Sequence, residues 1–220
     1  MQVVTTDIVE GLKLSGYWLV IHPDFIRNYP LGKSMKEYGY FSYAVNEALH
    51  LSDDEEKTIT SIMQNIEHEY RSVIDNFSQD VIVSHIELLL NYCNRFYNRQ
   101  FITRSAANND LLIKLENILT EYFDSGLLHE LGLPTVQYVS DKLNVSADYL
   151  SDMFRSLTGQ NTQQHIHSYL IEKAKEVLTT TNLSVSEIAY QLGFEYPQSF
   201  SKLFKNKTSL TPLKFRQSFN

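Results

Sequence analysis

From Ser52 onward, apolar residues recur at three- and four-residue spacing, and the elements this predicts are helices. One stripe runs through Ile59, Ile62, Met63, Ile66, Tyr70, Val73 and Ile74. A second, over about 79–97, has Val81, Ile82, His85, Ile86, Leu89, Leu90 and Cys93 on its apolar side. Ser52 followed by Asp53, Asp54 and Glu55 predicts the start of the first, as a capping box with acids where the helix dipole favours them. Two long amphipathic helices in series, about 52–99, predict an α-helical hairpin with a stripe free to take a second copy of the chain. A third helix is expected over Asp110–Phe123, stopped by Asp124-Ser125-Gly126. Ahead of Ser52 the pattern differs. Val3-Val4 and Tyr17–Ile21 are β-branched and aromatic, punctuated by Gly11 and Gly16, and His22-Pro23 closes the second run. This predicts strands within 1–22, too few to bury a core alone. The small polar run Ser105–Asn109 predicts a linker, dividing the chain into 1–105 and 106–220.

Beyond Pro134 the apolar pattern repeats. Val136, Val139 and Leu143 return 49 residues later as Val185, Ile188 and Leu192; Leu150, Met153 and Phe154 return 50 residues later as Phe200, Leu203 and Phe204. Each copy, about 134–158 and 184–208, reads as short helix, tight turn, second helix, with the second turn one residue longer. Pro134 is expected to open the first copy. Ser146 and Ser184 are expected caps, with Glu187 closing a box on Ser184. Gly193 suits a helix stop and Pro197 a first helical turn. Ser140 and Ala189 are small where the paired helices must approach closely. Between the copies, Gln163–Leu178 reads as one connecting helix.

A short helix turning into a second amphipathic helix is the geometry that lays one helix in a DNA major groove. With Phe200, Leu203 and Phe204 turned inward, Gln198, Ser199, Ser201 and Lys202 project outward. Gln can pair with adenine, and Lys can reach guanine or phosphate. The matching first-copy residues are Ala147, Asp148, Ser151 and Asp152, whose carboxylates repel phosphate, so the second helix is expected to read more strongly.

Charge sharpens this picture. Residues 132–220 carry nine Lys/Arg against seven Asp/Glu, +2, leaving ten against nineteen, −9, in the first 131 residues. Lys202, Lys205, Lys207, Lys214 and Arg216 fall in one stretch without an acid. Lys205, Lys207, Lys214 and Arg216, with Arg155 of the first copy, are the candidate phosphate contacts. One cysteine, Cys93, excludes an internal disulfide. No cofactor or metal is expected, and no nucleophile with its base or phosphate-cradling loop appears, which argues against an enzyme. His165 and His167 sit on different sides of their helix and read as ordinary polar residues. No apolar run is long enough to span a bilayer and no signal peptide is visible, so a cytoplasmic location is expected.

The residues Tyr149–Phe154, Thr158-Gly159, Ile171–Leu178, Val185–Ala189, Leu192-Gly193-Phe194, Ser199–Lys205, Thr211-Pro212 and Phe215-Arg216 resemble the AraC/XylS transcription regulators over about Asp110–Arg216. The resemblance implies a mainly α fold with two tandem helix-turn-helix subdomains joined by a linker helix. It also implies double-stranded DNA as ligand, transcription activation, and through activation a contact with RNA polymerase. It puts Gln198, Ser199, Ser201 and Lys202 at groove-facing positions. Leu170 stands where the family usually has arginine, Ser209 where it has glycine, and Asp152 where a basic or amide residue often meets DNA. Residues 1–105 resemble the end of a cupin-like companion domain reduced to a short β remnant, which leaves a small-molecule effector open. The alternative is a protein that keeps the fold but antagonises other regulators through its helices, with Asp148 and Asp152 as its support.

Overall fold

The computed structural model describes residues 16–219, and among these there is no β-strand. Tyr17–Ile21, expected as a strand, is irregular: no neighbouring strand accepts its backbone groups, and Trp18 and Val20 are exposed. The expected β remnant of a cupin-like domain is therefore not found there. Val3-Val4 lies outside the described residues.

The described residues divide into two compact units, 16–37 with 51–92 and 38–50 with 93–219. In the first unit, α1 (Pro23–Ile26) starts at His22, whose Nδ1 accepts the Asp24 N–H, and α2 is Pro30–Ser34. A 3₁₀ turn, Met35–Glu37, leads out of it. Helix α3, Asp53–Arg71, begins as expected: the Ser52 hydroxyl accepts the Glu55 N–H and the Glu55 carboxylate accepts the Ser52 N–H at 2.9 Å. Its apolar stripe ends sooner than expected. Ser72 is extended, leaving Val73 and Ile74 93% and 82% exposed. The competing hydrogen bonds are local, because Asp75 Oδ1 accepts the N–H groups of Phe77 and Ser78 and so organises the start of α4, Ser78–Thr103. Ile62 and Ile66 of α3, and Val83, Ile86, Leu89 and Leu90 of α4, are buried.

The second unit takes α4 from Cys93, then α5 (Ser105–Asp124), α6 (Leu127–Leu131), α7 (Val136–Leu143), α8 (Ala147–Thr158), α9 (Thr162–Thr180), α10 (Val185–Gln191), α11 (Pro197–Thr208) and α12 (Pro212–Gln217). The expected linker at Ser105–Asn109 is the first part of α5. Buried Asn108 donates its side-chain N–H to the Phe101 carbonyl at 2.6 Å, satisfying an acceptor near the end of α4. Pro134 does not open α7. Thr135 does, its hydroxyl accepting the Tyr138 N–H.

Two apolar cores hold this unit together. One gathers Phe101, Leu115, Leu119, Val139, Tyr149, Leu150, Met153, Phe154 and Ile166. The other gathers Leu170, Ile171, Ala174, Leu178, Ile188, Ala189, Leu192, Phe194, Phe200 and Phe204. Helix α9 belongs to both, so the connector is walled into each half. Leu170 is fully buried in the second core.

The repeat extends to the turns. Asn144 and Gly193 end the first helices of the two pairs in the left-handed region, with φ 56° and 80°. A Cβ at Gly193 would lie 3.0 Å from Leu128 Cδ2 and 3.2 Å from the Gly132 carbonyl carbon, so this close approach needs glycine. Gly159 and Ser209 end α8 and α11, with φ 75° and 63°. Beside each, Thr158 and Thr208 donate to the Phe154 and Phe204 carbonyls at 2.8 Å. A left-handed residue with a side chain costs roughly 1 kcal/mol, part of which a glycine returns through the unfolded chain's entropy. Ser209→Gly is accordingly expected to stabilise the protein by about 0.5 kcal/mol, read as a raised midpoint in thermal unfolding.

Candidate nucleic-acid interface

The second helix pair is built as its sequence requires. Ser184 caps α10, with Glu187 returning the bond to the Ser184 N–H at 2.7 Å; those bonds hold the Glu187 carboxyl below its ordinary range. Ala189 and Ile188 are fully buried, which lets α10 and α11 pack closely. Pro197 starts α11, and Phe200 and Phe204 anchor it. With that face fixed, Gln198, Ser199 and Lys202 are exposed, and Ser201 is half-buried. Lys205 is exposed in the last turn of α11, and Lys214 is exposed on α12. Lys207 is exposed, and its ammonium donates to Ser168 Oγ at 3.2 Å. Nearby His167 is pushed below its ordinary value by burial and by the Lys207 charge. Tyr196, the N-cap of α11, is more than half exposed beside Gln198. The apolar spacing gave no reason to single it out.

Arg216 is placed differently from the lysines. Its Nε donates to the Leu178 carbonyl at 3.0 Å and its Nη2 to the Leu183 carbonyl at 2.6 Å. Leu178 is in the last turn of α9, so the guanidinium occupies one carbonyl that the helix itself leaves unpaired, and with it the Leu183 carbonyl in the loop ahead of α10. It ties α12 to the end of α9, which sets it apart from the exposed lysines as a phosphate-contact candidate.

The first helix pair has the same frame but another surface. Ser146 caps α8 and Leu150, Met153 and Phe154 are fully buried. Its expected reading residues are not all available. Asp148 is exposed. Ser151 is half-buried, 3.5 Å from Thr162 Oγ1, and Asp152 is half-buried. Arg155 is exposed but donates to Asp152 Oδ1 at 2.9 Å. Tyr149 corresponds to exposed Ser199 in the other copy, yet is only 7% exposed.

The covering element is the segment 38–50, with its 3₁₀ turns Gly39–Ser42 and Val45–Glu47. Glu47 is 4% exposed, and its carboxylate accepts the Ser146 N–H and hydroxyl, both at 2.6 Å, and the Ala44 N–H at 2.7 Å. The Tyr43 hydroxyl donates to Asp152 Oδ2 at 2.8 Å. Burial first, and this bond second, push that phenol far above its ordinary value. The Tyr43 ring meets Tyr97 and Tyr149 edge-on at 5.1 and 5.3 Å, and Tyr40 stacks on Tyr97 at 5.4 Å. Gly39 lies flush on the helix, since a Cβ there would come within 2.5 Å of Asp152 Oδ2. Buried Gln100 holds the end of the segment, accepting the His50 N–H at 2.8 Å.

His165 packs its ring on Phe154, and burial lowers its pKa from the ordinary value. Among the described residues no group of three or more His, Cys, Asp or Glu is placed to hold a metal ion, and no helix is long and apolar enough to cross a membrane.

Residues 139–218 match the helix-turn-helix domain family. An HTH-type transcriptional regulator from the cgkA 5' region of Pseudoalteromonas carrageenovora is 27% identical over 132 residues, covering 58% of this chain and 76% of that protein. The transcriptional regulatory protein YesN of Bacillus subtilis is 38% identical over 93 residues, covering 40% of this chain and 25% of that one. AdaA of Bacillus subtilis, a bifunctional transcriptional activator and DNA repair enzyme, is 30% identical over 101 residues, covering 46% of each chain. Thus the chain spans most of one relative and less than half the length of the other two. The solved C-terminal domain of the response regulator yesN from Fusobacterium nucleatum is 33% identical, covers 46% of this chain and 96% of that one, and has a TM-score of 0.39. Over residues 139–218 this chain belongs to the AraC-type helix-turn-helix domains, the DNA-binding part of transcription regulators.

Proposed function

We propose that the chain is a sequence-specific transcription regulator that reads a major groove with α11. Gln198, Ser199 and Lys202 supply the base contacts, with Ser201 at their edge, and Lys205, Lys207 and Lys214 supply phosphate contacts. The observation that carries this reading is the exposed polar face of α11, fixed opposite fully buried Phe200 and Phe204. In the first copy, Asp148, Ser151 and Arg155 are the corresponding contacts. Transcription activation, and with it an approach to RNA polymerase, is the direction suggested by the name of the relative AdaA. A homodimer through α3 and α4 would bury Tyr70, Val73, Ile74 and Phe77, all strongly exposed in the first unit. The second reading, an antagonist that acts on other regulators, is favoured by one observation: the first reading helix is covered and carries Asp148 and Asp152.

The test is Lys202→Ala, titrated by fluorescence anisotropy against a duplex recovered from a random pool. Its specific affinity is expected to fall by about 1–2 kcal/mol, while binding to unrelated duplex changes little. Unchanged discrimination between the two duplexes rejects the role. Binding must also weaken steeply with salt, which an antagonist that binds other proteins need not show.

A further inference from the structure

We infer that the segment 38–50 is an internal cover that keeps the first reading helix, α8, out of DNA until it lifts, with Glu47 standing in for a backbone phosphate. The inference rests on the DNA-reading function proposed above. It is carried by a comparison the molecule makes with itself. The two helix pairs share their buried positions and left-handed helix ends, yet α11 presents Gln198, Ser199 and Lys202 to solvent while, of the matching α8 residues Asp148, Tyr149 and Asp152, only Asp148 is exposed. The occupants resemble what a duplex would bring. An anionic oxygen pair sits at the helix start and takes the Ser146 N–H and hydroxyl at 2.6 Å, where the helix dipole favours negative charge. A donor, the Tyr43 hydroxyl, reaches Asp152 Oδ2 at 2.8 Å, and an acceptor base edge there would be repelled by the same carboxylate. The Tyr43, Tyr97 and Tyr149 rings seal the contact.

The cover is held in a way that allows release. Its contacts with α8 are made by short 3₁₀ turns rather than by a long helix. Both its ends, at Glu37 and Leu51, continue in the chain into residues of the first unit. Lifting it frees Asp152 from Tyr43 and gives α8 back its N-terminal donors. The chain would then pass from engaging one groove to engaging two.

The full-length chain and a Tyr43→Phe/Glu47→Ala variant are compared by hydroxyl-radical footprinting on a duplex that the variant recovers from a random pool. The variant is expected to protect two windows about 10 base pairs apart. The unmodified chain protects the window of α11 at the same concentration, but needs at least tenfold more protein to half-protect the other. Equal concentrations for the second window, or a single window with the variant, overturn the proposal. If neither protein protects any duplex, the DNA-reading function itself falls and the cover with it. Circular dichroism establishes that the variant is folded. If it is not, Tyr43→Phe alone, which removes one hydroxyl and keeps the ring, carries the comparison, with at least a threefold advantage at the second window expected and none overturning it.

Discussion

Phe204→Ala is expected to cost the protein about 3–5 kcal/mol, measured as a shift of the urea midpoint at unchanged slope. Phe204 is fully buried, with ring centroids 5.8 Å from Phe200 and 5.4 Å from Phe215, so it joins α11 to α12 across the second core. The surrounding side chains come from α9, α10 and α11, which are braced against one another and cannot collapse into the space. Net stabilities of about 5–15 kcal/mol leave little margin for that loss. The exposed polar face of α11 should be lost with it, because Gln198 and Lys202 are aimed by the burial of the opposite side. A loss under about 1 kcal/mol would mean that the ring is not packed as described.

Arg216→Ala is expected to destabilise by about 3 kcal/mol, since it removes a charged donor from two backbone carbonyls and leaves both acceptors in a partly buried place. The same variant should leave the salt dependence of DNA binding untouched. A phosphate-contacting arginine behaves in the opposite way, with stability kept and the salt slope reduced by about one unit on its loss. Arg216→Lys should recover only part of the stability, because one ammonium cannot reproduce the forked geometry that spans Leu178 and Leu183. A reduced slope at full stability would return Arg216 to the DNA-facing set.

Local chemistry made most of the helical frame readable from the residues alone. Ser52 with Glu55, Ser146, and Ser184 with Glu187 each announce a helix start, because the bonds they make lie within three residues. The repeat showed through because both cores use the same apolar positions. What stayed hidden depends on distance along the chain. Glu47 and Ser146 are 99 residues apart, and nothing in the short turns around Glu47 has a period to detect. Arg216 sits in a run of lysines and shares their charge; only the fold brings the Leu178 and Leu183 carbonyls to it. Ser105–Asn109 has the composition of a linker, yet its backbone is helical, with Asn108 turned inward to finish the preceding helix. Tyr17–Ile21 has the composition of a strand but lacks a strand to pair with.

The sharing of α9 between the two cores also limits how the gene can change length. Ile166 lies in one core and Leu170, Ile171, Ala174 and Leu178 in the other. Adding or deleting one residue between them would swing one half around the helix axis by about 100° and change how α8 and α11 are oriented to each other. Tolerated insertions should therefore collect in the turns, and the one place where the two copies differ in length is such a turn, between Leu192 and Tyr196.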